Sequence, residues 1–84
     1  MKLGWDEARQ RVERVRGNKR ILSGHMSQAE IAAALGVSHD ALRSYAKDPS
    51  AAGYRRIPDD VLERLYQLTL EQLTATLRVH KLAA

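Results

Sequence analysis

Residues 27–45 read SQAEIAAALGVSHDALRSY, and this stretch decides the fold. It reads as a helix, a tight turn and a second helix. Ser27 with Glu30 three residues on forms a capping box. The serine hydroxyl accepts from the backbone N–H near Glu30, and the Glu30 carboxylate returns to the Ser27 N–H. Ile31, Ala32 and Leu35 then fall on one helical face. Gly36 follows, where a left-handed residue ends a helix at least steric cost. Val37 plugs the corner, and Ser38 caps the next helix. Ala41, Leu42 and Tyr45 form that helix's inner face. Its exposed face is left to His39, Asp40, Arg43 and Ser44. Ala32 is small where two helices crossing steeply leave no room for a larger side chain.

The combination of Gln28, Ala32, Leu35-Gly36-Val37, Leu42 and Tyr45 resembles the helix-turn-helix of the Cro/CI-type (XRE-like) DNA-binding regulators. The longer stretch GVSHDALRSYAKDPSAAGYRRIP, with its LRSY, GYR and Pro landmarks, is similar to small phage anti-CRISPR-associated repressors of the same fold. The general match covers roughly residues 18–70, and the first 17 residues depart from both patterns. The resemblance implies an all-α, compact four- to five-helix bundle of the lambda repressor-like type. It also implies that the helix after the turn enters the DNA major groove. His39, Asp40, Arg43 and Ser44 then stand at base-facing positions, with Gln28 and Ser38 at phosphates.

Eighty-four residues make one small domain, 1–84, which buries too little surface to be very stable alone. Dimerisation is a common remedy at this size. There is no Cys, so there is neither a disulfide nor a thiolate metal site, and there is no Phe. No apolar run reaches membrane length, and the N-terminus lacks the apolar core of a signal peptide. The expected setting is cytoplasmic and prokaryotic, phage-borne or plasmid-borne. The net charge of +4 is uneven. Residues 1–26 carry seven Lys and Arg against three acids, residues 27–58 are close to balanced, and residues 59–84 are slightly acidic. A basic first half suits a protein that meets a polyanion with one end and a partner with the other.

Residues 5–22 read as a first helix, with Trp5, Ala8, Val12, Val15 and Leu22 on one stripe and Lys19 filling a gap in it. Asp6 and Glu7 then sit in the first turn, where the helix dipole favours acids. Gly17-Asn18 is a candidate break, since glycine costs about 1 kcal/mol inside a helix. Gly24 ends the helix, and Met26 is placed to pack before the Ser27 cap. Residues 46–57 form a loop with turn signals at Asp48-Pro49 and Gly53. It follows the base-facing helix directly, so Lys47, Tyr54, Arg55 and Arg56 are placed to meet phosphates, which position a protein without reading sequence. Core packing is the equal alternative for Tyr54. Pro58 opens a fourth helix with Val61, Leu62, Leu65 and Leu68 closing the core. Thr69 with Gln72 spells a second capping box, which predicts a fifth helix over 70–82. There Leu70, Leu73 and Leu77 recur at a/d spacing, with His80 next in line, and form the expected dimerisation element. The alternatives are that these leucines fold back on helix 1 within one subunit, or that helix 1 forms the interface around Trp5 and Val12.

No catalytic constellation is present. His25, His39 and His80 lie in different elements, and there is no Gly-rich phosphate loop and no supported Ser/His/acid set. The chain therefore reads as a non-enzymatic protein with no cofactor, metal or small-molecule ligand. The expected partners are operator DNA, double-stranded and inverted-repeat in form, and a second copy of the chain. The expected role is a small homodimeric, autoregulatory transcriptional repressor. Two other readings use the same elements. One is an antitoxin whose C-terminal helix also binds a toxin. The other is a protein-interaction module without DNA binding, for which Asp40 on the exposed face speaks weakly. An acid there can instead accept from cytosine N4 or favour the helix N-terminus.

Overall fold

The capped stretch folds as its local chemistry dictates. In the computed structural model, which describes residues 2–83 along the backbone and residues 6–78 in their side chains, the protein is all-α. The elements are α1 (Lys2–Leu22), α2 (Gln28–Leu35), α3 (His39–Tyr45) and α4 (Asp59–Ala83), with no strand among the described residues. The Ser27 Oγ accepts from Glu30 N at 3.1 Å, and Ser27 N donates to Glu30 Oε1 at 3.0 Å. Gly36 sits at φ 70° and ψ 29°, the left-handed region that glycine enters without Cβ strain. That turn lets Gly36 N and Val37 N donate back to Ala33 O and Ala32 O. Ser38 Oγ then accepts from Ala41 N at 3.0 Å and starts α3.

Every inner-face position of the two short helices is buried: Ile31, Ala32 and Leu35 on α2, Ala41, Leu42 and Tyr45 on α3. They pack on Val15 and Leu22 of α1 and on Val61 and Leu65 of α4. Met26, Val37, Leu62 and Leu68 are half-buried around this core. Ile57 is buried too, closing the loop onto the core, although its place in a turn-rich stretch hid it from pattern reading.

Three expectations are corrected. The first helix is not broken at Gly17-Asn18 but runs unbroken from Lys2 to Leu22. Burial of Val12, Val15 and Leu22 along one face outweighs the glycine penalty, and Asn18 Nδ2 donates to Arg14 O at 2.7 Å within the helix. Because the helix starts earlier than expected, Asp6 and Glu7 lie beyond its first turn. There is also no separate fifth helix, since α4 continues through residues 70–82. Thr69 is buried mid-helix, and its hydroxyl donates to Leu65 O at 2.9 Å rather than capping a new start. The stripe proposed for Trp5 and the heptad position of His80 lie outside the described side chains.

Two consequences are measurable. Ser27→Ala removes one arm of the capping box and should cost about 1 kcal/mol. Gly36→Ala forces a Cβ into left-handed backbone and should cost roughly 1–2 kcal/mol in urea unfolding. The pH dependence follows from three carboxylates held below their ordinary range. Asp59 is lowered by the hydrogen bond from Arg11 and then by its charge, Asp48 by the Ser50 hydrogen bonds, and Glu30 by the Ser27 cap. A depressed folded-state pKa gives stability that is present above the unfolded value and lost as pH falls through the folded one. Stability should therefore decline below the ordinary Asp value of 3.8, and Asp59→Asn should flatten part of that decline in acid titrations followed by circular dichroism.

Candidate nucleic-acid interface

The outward face of α3 is set by what its inner face buries. With Ala41, Leu42 and Tyr45 inside, His39, Asp40 and Arg43 are exposed and Ser44 is half-buried. Arg43 and Asp40 are one helical turn apart, with Arg43 Nη1 3.9 Å from Asp40 Oδ1. Both are strongly exposed, so the pair is weak and either partner is easily drawn away. Ser38 Oγ accepts from Ala41 N on the cap of α3, which leaves its O–H to donate to an outside acceptor such as a phosphate oxygen.

Cations from α1 frame one side of this face. A groove of about 270 Å³ is lined by Arg16, Lys19, Arg20, Ser23, Gln28 and Ala46. Gln28, the first residue of α2, is half-buried in it. The Lys19 ammonium is pushed below its ordinary value, first by its partial burial, which disfavours the charged form, and then by repulsion from Arg43. That repulsion puts Lys19 of α1 within electrostatic reach of Arg43 on α3. Lys19 thus does more than fill a gap in an apolar stripe: it is half-buried and lines the same groove as Arg16, Arg20 and Gln28. The sequence pattern missed Arg16, Lys19 and Arg20 as site candidates. Their i, i+3 and i+4 spacing within the most basic third of the chain was the available signal.

The loop after α3 divides its predicted contacts. Arg55 N donates to Ser44 O at 3.3 Å, which holds the loop's return against α3, with the Arg55 side chain exposed. Lys47 is exposed and its ammonium lies over Gly53, where an added Cβ would come within 2.8 Å of Nζ. Gly53 itself has φ 83°, as its turn signal implies. Tyr54 is half-buried. Arg56 is drawn the other way, its Nη2 donating to Glu7 Oε1 at 2.8 Å on the N-terminal part of α1. Leu70, Leu73 and Leu77 are exposed on α4, well separated in sequence from the α2–α3 unit.

No helix of the described residues is long and apolar enough to cross a membrane. No group of three or more His, Cys, Asp or Glu positioned to hold a metal occurs among them. Comparison with protein-family models, curated proteins and solved structures finds no match.

Proposed function

We propose that α2, the Gly36 turn and α3 form a helix-turn-helix, and that the protein is a sequence-specific double-stranded DNA-binding repressor acting as a homodimer. One observation carries the reading. Two short helices, each capped by serine and joined by a left-handed glycine, bury their entire inner faces and leave His39, Asp40, Arg43 and Ser44 outward beside a cationic rim. In a helix-turn-helix the second helix reads base edges while flanking groups hold phosphates. Arg43 is the natural guanine reader, through a bidentate contact to O6 and N7. Asp40 can accept from cytosine N4. Gln28, Lys19 and Arg20 would hold the backbone on one side, with Lys47 and Arg55 on the loop side. Repression, and autoregulation in particular, is carried over from the resemblance of this stretch to small phage anti-CRISPR-associated repressors. A lone recognition helix reads one half-site, so a specific operator calls for two copies.

Selection of DNA fragments from a random pool tests the reading directly. An enriched inverted repeat is the expected result, and no enrichment would sink it in favour of an interaction module. On the selected site, Arg43→Ala should cost roughly 1–3 kcal/mol while leaving binding to random DNA nearly unchanged. Equal losses on both would make Arg43 a phosphate contact.

The rim and the loop separate by salt dependence. Lys19→Ala and Arg20→Ala should each lower the slope of log affinity against log salt by about 1 on every sequence. Arg56→Ala should lower it less, because Glu7 already engages that guanidinium. Unchanged slopes for Lys19→Ala and Arg20→Ala would place the α1 rim away from DNA.

A further inference from the structure

We propose that the groove between α1 and α4 is the seat of a second copy's α4, the two long helices packing antiparallel about a two-fold axis that passes between Thr69 and Leu70. The inference deepens the homodimer of the reading above, yet it uses none of the DNA-facing residues.

The large hydrophobic side chains exposed among the described residues are Ile21, Tyr66, Leu70, Leu73 and Leu77, at 41%, 49%, 38%, 40% and 67%. Four of them follow the i, i+3, i+4 rule along one face of α4. Ile21 stands opposite them on α1, and the space between is an open groove of about 600 Å³ that Leu62 also lines. Leu77 is not part of that lining. It lies seven residues past Leu70, about 10 Å further along the helix axis. A continuous helix cannot bend its own Leu77 back into the groove, so groove and projecting leucine on one molecule fit a second molecule.

The pattern is self-complementary in the way a two-fold interface requires, where residue i meets j and j meets i. Tyr66 and Leu73 are centred on a point between Thr69 and Leu70. Leu62 and Leu77 are centred on the same point. An antiparallel pair about that point sets each Leu73 against the partner's Tyr66 and each Leu77 into the partner's groove at Leu62. The charges agree. Glu63 on the groove rim and Arg78 beside Leu77 are centred within one residue of that axis, so each Arg78 arrives near the partner's Glu63, twice per dimer. A parallel coiled coil would instead set Arg78 against Arg78 and leave Ile21 and the groove unfilled. The second copy is thus the occupant that the apolar and charged positions both specify.

The absence of cysteine makes the geometry testable one thiol at a time. Sedimentation equilibrium should show a dimer for the unaltered protein. Leu77→Asp, at a strongly exposed position, should give a monomer with unchanged helical circular dichroism. Leu70→Cys, beside the axis, should form a disulfide dimer under mild oxidation. Leu77→Cys alone should not, but should crosslink when mixed with Glu63→Cys. A monomeric unaltered protein, or Leu77→Cys crosslinking to itself as readily as Leu70→Cys, would overturn the arrangement. So would a Leu77→Asp protein that stays dimeric. A monomer that still enriches a DNA sequence would overturn the interface and leave the DNA reading standing, whereas the expected crosslinks in a protein that enriches no DNA would support the interface alone.

Discussion

The left-handed backbone of Gly36 is the constraint on which the outward face of α3 depends. α2 has eight residues and α3 seven, too few for either to be stable as an isolated helix. Each persists because its start is capped by serine and its inner face is buried. The turn between them must reverse the chain within three residues while satisfying the carbonyls that α2 leaves open. With φ at 70°, Gly36 directs two successive N–H groups onto Ala32 and Ala33. Arg64 reaches from α4 to donate to Leu35 O at 3.2 Å. The last turn of α2 is thereby closed from inside by backbone and from outside by a cation. The angle at which α3 leaves the corner is set, and with it the direction of His39, Asp40, Arg43 and Ser44.

Arg64 is one of three arginines that act as straps. Arg16 donates through Nε to Ala46 O at 2.8 Å, closing the end of α3. Arg11 donates to Ile57 O at 3.3 Å and also binds Asp59, fixing the point where the loop enters α4. Each strap joins elements distant in sequence and satisfies a carbonyl that regular structure leaves open. The basic balance of the chain therefore has two components. Some cations hold the fold together, while Arg20, Arg43 and Arg55 are exposed. Net charge alone cannot separate the two, because it weighs a strapped guanidinium and an outward one equally.

What was legible in the residues, and what was not, divides along the same line. The α2–turn–α3 unit could be read residue by residue because its determinants are local: a cap and its reciprocal acid, a glycine that must be left-handed, and apolar positions one turn apart. The outward positions His39, Asp40, Arg43 and Ser44 follow from that reading by exclusion, and their base-facing role is what the resemblance implies. Continuity of α1 and α4 was not legible in the same way. Gly17-Asn18 and Thr69-Gln72 carry sound local signals for a break and a cap, and long-range burial of Val15, Leu22, Leu65 and Thr69 overrides both. The partition of Arg16 and Arg56 was hidden for the same reason. Their partners, Ala46 and Glu7, lie 30 and 49 residues away, and no spacing rule reaches that far.

The two surfaces left open by this packing do not compete for space. Both use α1, and at 100° per residue Arg16 and Arg14 point about 160° apart around its axis. Arg16 lies on the flank with Lys19, Arg20 and Gln28, whereas Arg14 lines the other groove with Ile21 and Tyr66. The core face of α1, carrying Val12, Val15 and Leu22, lies between the two flanks and anchors both. A long single helix is what makes this separation possible, since both linings straddle Gly17: Arg14 and Arg16 precede it, and Asn18, Lys19, Arg20 and Ile21 follow it. On the proposed reading, one rigid element relates the edge offered to DNA to the edge offered to a second copy at a fixed angle. That is the requirement a two-fold protein must meet if its two copies are to present their α3 helices to one duplex in a single register.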